Sequence, residues 1–228
     1  MTVHRPRAGL LALIGLATTL GAVACGSSGY QYVQNDELGV YAKVPDDWAV
    51  YDEEALFPDD SERERERRLA VTWTRSFDAS DDPSPDHSKT LASAEPTGRV
   101  RVFGLPPEFR EQVNLSALRG LGMDDPQLDP VALSQQESGV QVVSDEPVTF
   151  DGGYHGVRTV FTIDPQAAEA TAGGDMGTVV VDQTTVLNST SDVVYIFQVS
   201  CTEQCYFDTH KDAIADIVDS WTIQEVRS

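Results

Sequence analysis

The residue types that could do chemistry are sparse in this chain of 228 residues, which has three cysteines and four histidines. Cys201 and Cys205 are separated by three residues. In an exported protein such a pair favours a disulfide, provided that the intervening Thr-Glu-Gln makes a tight turn. A redox pair more often has two intervening residues and opens a helix beside a βαβ unit. A metal site that also used His210 would lack an evident fourth ligand.

No catalytic signature accompanies these residues. The sequence has no G-x-S-x-G, H-E-x-x-H or S-x-x-K, which are the usual marks of nucleophilic and zinc hydrolases. The Gly-rich stretch 172–177 has no phosphate-binding lysine and precedes a strand pattern instead of a helix. His87 and His155 fall within or beside loops, and paired carboxylates mean little in so acidic a chain. We therefore expect no catalytic residue, no metal, no cofactor and no enzymatic activity.

The amino terminus indicates where the protein resides. Basic residues precede an apolar run from Ala8 to Ala24, which is short for a membrane span and ends in small residues, as a signal peptide does. The letters A-V-A-C that end at Cys25 resemble the lipobox of bacterial lipoproteins, although Leu is more usual than Ala at the first position. This resemblance implies a signal peptide over residues 1–24, acylation of Cys25 and a tether over residues 25–29. The alternative is an ordinary secretory signal that leaves Cys25 as an odd thiol.

The charge balance excludes two classes of partner. Lys+Arg number 16 and Asp+Glu number 37, so the formal net charge is -21 at pH 7. We therefore expect no nucleic acid partner, since phosphates require basic contacts, and no polybasic contact with anionic lipid. No linker or internal repeat divides the rest of the chain, which predicts a single domain over residues 30–226.

Strand patterns outnumber helix patterns. Strands are predicted over these segments: Tyr30–Pro45, Leu69–Phe77, Arg99–Leu105, Gly139–Phe150, Tyr154–Asp164, Val179–Leu187 and Val193–Ser200. The last four form two hairpins, the first of which turns at D-G-G. One face of the final strand should be buried throughout, and the face with Gln198 and Ser200 only in part. Trp48, which follows a turn, should fold back onto the core.

Helices are predicted over three segments, Ser61–Arg68 within the charged run 59–68, Pro107–Leu121 and Phe207–Trp221. The last is amphipathic, with Asp208 or Thr209 as its cap and His210 on its apolar face, and should lie across the closing hairpin. Residues 78–95 are predicted to form a mobile acidic loop and residues 167–176 a Gly/Ala-rich loop. The layout is α+β, with helices packed on an antiparallel sheet.

The order of these elements is similar to that of a known family. The stretches V-P-D-D-W, F-D-G-G-Y-H-G-V-R-T-V-F-T-I, V-V-V-D-Q-T-T-V-L and S-W-T-I resemble the PsbP-like superfamily and, within it, the LpqN-type lipoproteins of mycobacteria. The resemblance covers most of residues 30–225. It implies an α/β/α sandwich around a central antiparallel sheet, used across the superfamily mainly to bind other proteins. It offers no catalytic residue, and no binding surface is transferred from it.

The residues and the resemblance together predict a non-catalytic interaction module of the bacterial cell envelope. Lipidated Cys25 would anchor it to the extracytoplasmic face of the cell membrane, where it would bind an envelope protein. The alternative is a carrier of a lipid or small hydrophobic ligand in a cavity between sheet and helices. The space beneath the Phe207–Trp221 helix distinguishes the two, since a carrier requires it to be hollow.

Overall fold

The computed structural model describes residues 29–69, 72–91, 93–123, 128–136, 138–164 and 177–224. The predicted signal peptide, Cys25, the tether up to residue 28 and the loop 167–176 lie outside the described residues. The strands are β1 (Tyr30–Asn35), β2 (Val40–Pro45), β3 (Ala49–Tyr51), β4 (Thr72–Asp78), β5 (Thr97–Gly104), β6 (Val140–Phe150), β7 (Tyr154–Ile163), β8 (Val179–Leu187), β9 (Val193–Thr202) and β10 (Thr222–Ile223).

The strands form two antiparallel sheets, one of three strands in the order β1-β2-β10 and one of seven in the order β3-β4-β5-β9-β8-β7-β6. Short 3₁₀ turns occupy Pro85–Lys89 and Asp151–Gly153, and a π-helical turn occupies Cys205–Thr209. Among the described helices, none is long and apolar enough to cross a membrane. The helices are α1 (Glu53–Leu56), α2 (Glu62–Leu69), α3 (Pro107–Arg110), α4 (Leu115–Gly122), α5 (Pro130–Ser134) and α6 (Lys211–Ser220).

The seven-stranded sheet is the middle of three layers. On one face, α6 and the three-stranded sheet pack Ile214, Ile217 and the strand valines against Phe197. On the other face, α4 packs Leu118 against Ile196, while α5 helps to cover the far end of the sheet. Because apolar residues point to both sides of the central strands, helices are needed on both faces. The predicted α+β class and the α/β/α sandwich are confirmed.

The two predicted hairpins are present, and one expectation about them was wrong. Gly152 and Gly153, with φ of 78° and 82°, occupy the left-handed region that glycine adopts without strain, so D-G-G joins β6 to β7. In β9, however, the face with Gln198 and Ser200 is also buried, each residue being 3% exposed. The side-chain amide of Gln198 donates a hydrogen bond of 3.3 Å to the backbone carbonyl of Gly122, because α4 lies on that face.

The amino-terminal strand prediction was wrong in its extent. Tyr30–Pro45 is a hairpin of β1 and β2. The carbonyl and the side-chain oxygen of Asn35 both accept from the Leu38 amide, and Gly39 has a φ of 66°, so D-E-L-G reverses the chain. Trp48 packs into the core as expected, with 7% of its surface exposed.

The predicted boundary between the charged helix and the next strand was also wrong. Ser61 and Glu64 exchange hydrogen bonds, from the Glu64 amide to the Ser61 hydroxyl and from the Ser61 amide to the Glu64 carboxylate. This capping box starts α2, and the helix continues through Leu69. Strand β4 therefore begins at Thr72.

Two further helix boundaries differ from the predictions. The predicted helix Pro107–Leu121 is divided into α3 and α4, because Asn114 is extended and its side chain accepts from the Ala117 amide as a new N-cap. The closing helix begins at Lys211 instead of Phe207. Neither Asp208 nor Thr209 caps it, since both lie in the π-helical turn.

Candidate functional site

The two cysteines predicted as a pair lie together where β9 meets the π-helical turn. Their sulfur atoms are in contact and their Cα atoms are 5.9 Å apart, so the pair is at disulfide distance. Both are buried, Cys201 being 0% and Cys205 4% exposed. The pair is therefore placed to support the start of α6 and is shielded from solvent.

The space beneath α6 is filled by side chains of the protein itself. The indole of Trp221 stacks on Phe197 with ring centroids 5.5 Å apart and meets Phe150 edge-on at 5.1 Å. Ile217 is 0% exposed in the same cluster. This close packing favours the binding module over the carrier, because described side chains occupy the space that a carrier would need for its ligand.

The histidines take part in local contacts instead of a common site. His210 meets Trp48 edge-on at 6.2 Å, as a packing residue would, and its Nε2 also lies 2.8 Å from Glu95. His87 contacts Asp78, and His155 lies 3.2 Å from the carbonyl of Gly153. In the described part of the chain, no group of three or more His, Cys, Asp or Glu residues could hold a metal ion.

A polar cavity of about 410 Å³ opens beside β4 and β5, on the face of the sheet opposite α6. Of the lining residues that the structure describes, four are basic, four carry hydroxyl groups and two are apolar. The basic residues are Arg68, Lys89, Arg99 and Arg101, the hydroxyl residues are Thr72, Thr74, Ser76 and Ser88, and the apolar residues are Leu56 and Phe57. We call this space the basic cavity.

The register of β4 and β5 creates the floor of the basic cavity. Ser76 pairs with Arg99 and Thr74 pairs with Arg101, so these side chains share one face of the sheet. The intervening Val100 of β5 points the other way, into the core beneath α6. Strict alternation along the strand therefore puts basic groups on one side and apolar groups on the other.

Helical segments build the walls. Leu56 of α1 and Phe57 just after it form an apolar side, and the Arg68 guanidinium from α2 lies 3.4 Å from the Phe57 ring centroid. Arg68 also forms an ion pair with Asp60. Stacking and pairing together hold this guanidinium at the cavity.

The 3₁₀ turn Pro85–Lys89 contributes Ser88 and Lys89, and a buried carboxylate holds it in place. Asp78 is 1% exposed and accepts hydrogen bonds from the amides of Ser80, at 2.9 Å, and Ser84, at 2.8 Å. Its Oδ2 is also 2.8 Å from His87 Nδ1. Burial by itself would raise the pKa of Asp78, but these hydrogen bonds outweigh it and hold the pKa below its ordinary value.

This contact corrects the prediction that residues 78–95 form a mobile acidic loop. Asp78 belongs to β4 and organises the following residues around its carboxylate. Most of the remaining acidic side chains point to solvent, as the composition indicated, but Lys89 lines the basic cavity. Residues 78–91 therefore form a folded wall of that cavity, to which Ser88 and Lys89 contribute.

The charge of the basic cavity is opposite to that of the whole protein. None of the lining residues that the structure describes is acidic, in a chain of 37 Asp+Glu. Three carboxylates lie close behind the lining: Asp60 pairs with Arg68, Asp86 lies 2.7 Å from Lys89, and Glu53 neighbours Thr74. Burial raises the pKa of Glu53, although Arg75, Thr74 and Arg68 oppose the shift.

A buried polar atom of the lining, the Ser76 hydroxyl, lacks a hydrogen-bond partner within the described part of the chain. Ser76 is 1% exposed. Buried hydroxyls are nearly always paired in native proteins. The hydroxyl beside four basic side chains indicates a place for an oxygen-rich anion, and the described lining contains no imidazole, thiol or carboxylate that could act as an acid or base.

Three solved structures are similar to this chain at low sequence identity. PsbP (CyanoP) from Synechocystis sp. PCC 6803 is 12% identical, with 95% of this chain and 100% of that chain covered and a TM-score of 0.41. LpqN, involved in cell envelope biogenesis of Mycobacterium tuberculosis, is 16% identical, with 86% and 91% covered and a TM-score of 0.42. The Saccharomyces cerevisiae Ran-binding protein Mog1p is 9% identical, with 86% and 96% covered and a TM-score of 0.42.

Two of these three structures bear the names that the resemblance in the sequence suggested, PsbP and LpqN. No family model matches the sequence, and no curated protein matches it either. At these identities the similarity concerns the fold, and it assigns no residue or ligand. The basic cavity therefore has to be interpreted from its own chemistry.

Sequence reasoning identified none of the cavity residues as a site. The sequence predicts a strand for Arg99 and Arg101, and their alternation with Val100 and Val102 in R-V-R-V is the signal that they share one face. The hydroxyls of Thr72, Thr74 and Ser76 alternate in the same way. What the sequence lacked was the pairing of the two strands, which brings the two patterns together.

Proposed function

We propose that this protein is a non-catalytic binding module of the bacterial cell envelope, anchored by lipidated Cys25 to the extracytoplasmic face of the cell membrane. It presents the basic cavity to an envelope partner, expected from the sequence to be a protein, and the partner supplies a negatively charged group. The observation that supports binding is a cavity lined by four basic residues on a protein of net charge -21. Such local charge reversal focuses an anion where the rest of the surface repels it.

The anchor is tested by metabolic labelling with palmitate. The wild-type protein should incorporate the label and sediment with membranes, because acyl chains at Cys25 hold it there. The Cys25→Ala variant should lose the label and leave the membrane fraction. An unlabelled wild type, together with a variant that stays equally membrane-bound, would contradict the anchor.

The binding surface is tested by affinity capture from envelope extracts. The full-length wild type should retain a partner that the Arg99→Ala/Arg101→Ala variant does not, since this variant removes two of the four basic groups of the cavity. The matched control is Arg63→Ala/Arg110→Ala, which removes the same charge at two exposed positions outside the lining. Equal capture by all three proteins would contradict a role for the cavity in partner binding.

The proposal includes an oxidised Cys201–Cys205 pair, as expected for an exported protein. The separation of 5.9 Å between their Cα atoms is compatible with it. Alkylation of the unfolded Cys25→Ala protein should label no thiol before reduction and two thiols after it. Labelling of both cysteines without reduction would contradict the oxidised state.

A further inference from the structure

We propose that the outer side of the three-stranded sheet lies on the membrane surface, with the rings of Tyr32 and Tyr41 among the lipid head groups. This inference deepens the proposed function and rests on its acyl anchor at Cys25, because only an anchored chain is held close to lipid. It adds an orientation to that function. The basic cavity points away from the membrane and stays open to a protein partner.

Alternation along the strands of this sheet separates a buried face from an outer face. Val33 of β1 and Val40 and Ala42 of β2 are at most 2% exposed and pack into the core that contains α6. The intervening side chains point the opposite way. We call that surface the outer face, and its residues are Tyr30, Tyr32, Gln34, Tyr41, Lys43 and Thr222.

The outer face has the composition of a surface that contacts lipid head groups. Tyr32 is 48% exposed, and its ring stacks on that of Tyr41 with the centroids 5.2 Å apart. Tyrosine rings are amphipathic and are enriched where a membrane meets water. Within the described residues, β1, β2 and β10 contain no Asp or Glu, although the chain has 37 acidic residues. The exposed Lys43 supplies a cation for a lipid phosphate.

Covalent geometry holds Cys25 near the outer face. Gly29 lies at the start of β1, four residues after Cys25, and its carbonyl accepts from the Asp46 amide over 3.1 Å. Four extended residues span at most about 14 Å. The helices on the far side of the molecule lie two packed layers away, roughly 20 Å, so this tether is too short to lay them on the lipid. Weak contacts beside the anchor are sufficient, because tethering raises their effective concentration to roughly the millimolar range.

Acidic side chains surround the outer face and set the depth of the contact. The turns at residues 36–37 and 46–47 are acidic, and α6 exposes aspartates beside the sheet. One of them, Asp216, accepts a hydrogen bond of 2.9 Å from the Tyr30 hydroxyl. Charged carboxylates resist transfer out of water. The rings therefore reach only the head groups, and the contact favours zwitterionic over anionic lipid.

This contact determines where the basic cavity points. The three-stranded sheet packs on the same face of the seven-stranded sheet as α6, and the basic cavity opens on the opposite face. Packed sheets lie about 10 Å apart, so a full layer of protein separates the cavity from the lipid. The cavity is thereby turned toward the envelope, where a partner can reach it.

The test is fluorescence quenching in vesicles of dioleoyl phosphatidylcholine, with and without a phosphatidylcholine brominated near its head group. The lipidated protein is extracted from membranes and reconstituted. Tyr32→Trp puts an indole on the outer face, and Phe109→Trp, in α3, is the matched control, since the two side chains are 48% and 51% exposed. After subtraction of the wild-type signal, the Tyr32→Trp indole should be quenched at least about threefold more than the control. Equal quenching of the two indoles, or quenching of neither, would overturn the proposal.

Charge substitutions locate the contact. Added to Tyr32→Trp, the pair Gln34→Glu/Lys43→Glu puts two carboxylates on the outer face and should reduce the quenching at least about threefold. The control pair Arg110→Glu/Gln112→Glu makes the same change in charge at two exposed positions outside the outer face and should leave the quenching nearly unchanged. Equal quenching with both pairs would overturn the location. Tyr41→Trp replaces Tyr32→Trp in these measurements if the latter unfolds in circular dichroism.

Palmitate labelling separates this inference from the proposed function. Absence of the label overturns the anchor and, with it, this inference. A labelled protein whose Tyr32→Trp indole is not quenched overturns the inference alone and leaves the anchor in place. The orientation has its own readout, because Phe57→Trp puts an indole in the basic cavity. Quenching at that position as strong as at Tyr32→Trp would show that the cavity faces the lipid and would overturn the orientation.

Discussion

The core beneath α6 and the basic cavity are separated by a single strand, β5, yet they are opposites in composition. Val100 and Val102 point into the core and are 1% and 2% exposed, while Arg99 and Arg101 point into the cavity. The core side is closed by tightly packed aromatic rings. The cavity side keeps an open space with basic groups around it. The two faces of one strand can therefore differ in role, since one face of β5 packs in the core and the other lines an open cavity.

The largest expected effect tests the packed side. Phe197 is 1% exposed and stacks on Trp221, so Phe197→Ala should lower the free energy of unfolding by about 3–5 kcal/mol. Urea denaturation of the full-length protein measures the change. The control is Phe207→Ala, which affects a side chain 40% exposed and should change the value by less than about 0.5 kcal/mol. Equal effects of the two substitutions would show that the space beneath α6 is not tightly packed.

A smaller effect compares the two faces of β5 directly. Val100→Ala should lower the free energy of unfolding by about 2 kcal/mol, because it deletes two buried methyl groups. Arg101→Ala, one residue along, should cost less than about 1 kcal/mol, since the Arg101 side chain is only partly buried. Urea denaturation of both variants measures the difference. If Arg101→Ala were the more destabilising, the cavity face would be part of the stabilising core.

The smallest expected effect concerns the folded wall and depends on pH. The pKa of Asp78 is lower in the folded protein than in the unfolded chain, so its hydrogen bonds stabilise the fold fully above the unfolded pKa of about 4. That stability is lost as the pH falls through the folded pKa. Asp78→Asn should therefore cost about 1 kcal/mol at pH 7, with the difference from wild type shrinking below about pH 4.

Urea denaturation between pH 7 and pH 2 measures this dependence. Asp81→Asn is the matched control, because Asp81 lies in the same segment and is exposed. It should leave the free energy of unfolding unchanged across the range. A difference between Asp78→Asn and wild type that stayed constant down to pH 2 would contradict the role of the Asp78 carboxylate in holding this wall.

The sequence predicted the hairpins and the layers well because their signals are local and strong. D-G-G supplies two glycines at the positions of positive φ, and the closing strands are dense in β-branched residues. Element boundaries were less predictable. Leu69 fits either a strand or the last turn of a helix, and the capping box at Ser61 decides for the helix. Asn114 interrupts an apolar pattern that by itself continues through Leu121.

The sequence by itself determined the sandwich class, the amphipathic closing helix and the proximity of Cys201 and Cys205, because each depends on residues close together in the chain. Only the tertiary structure decided that the space beneath α6 is filled and that Arg68, Lys89 and the β5 arginines meet in one cavity. The cavity joins residues up to 45 positions apart, from Leu56 to Arg101, and the packing beneath α6 joins Phe150 to Trp221, 71 positions apart. Periodicity shows which face of a strand a residue occupies, but strand pairing and helix placement determine what that face meets.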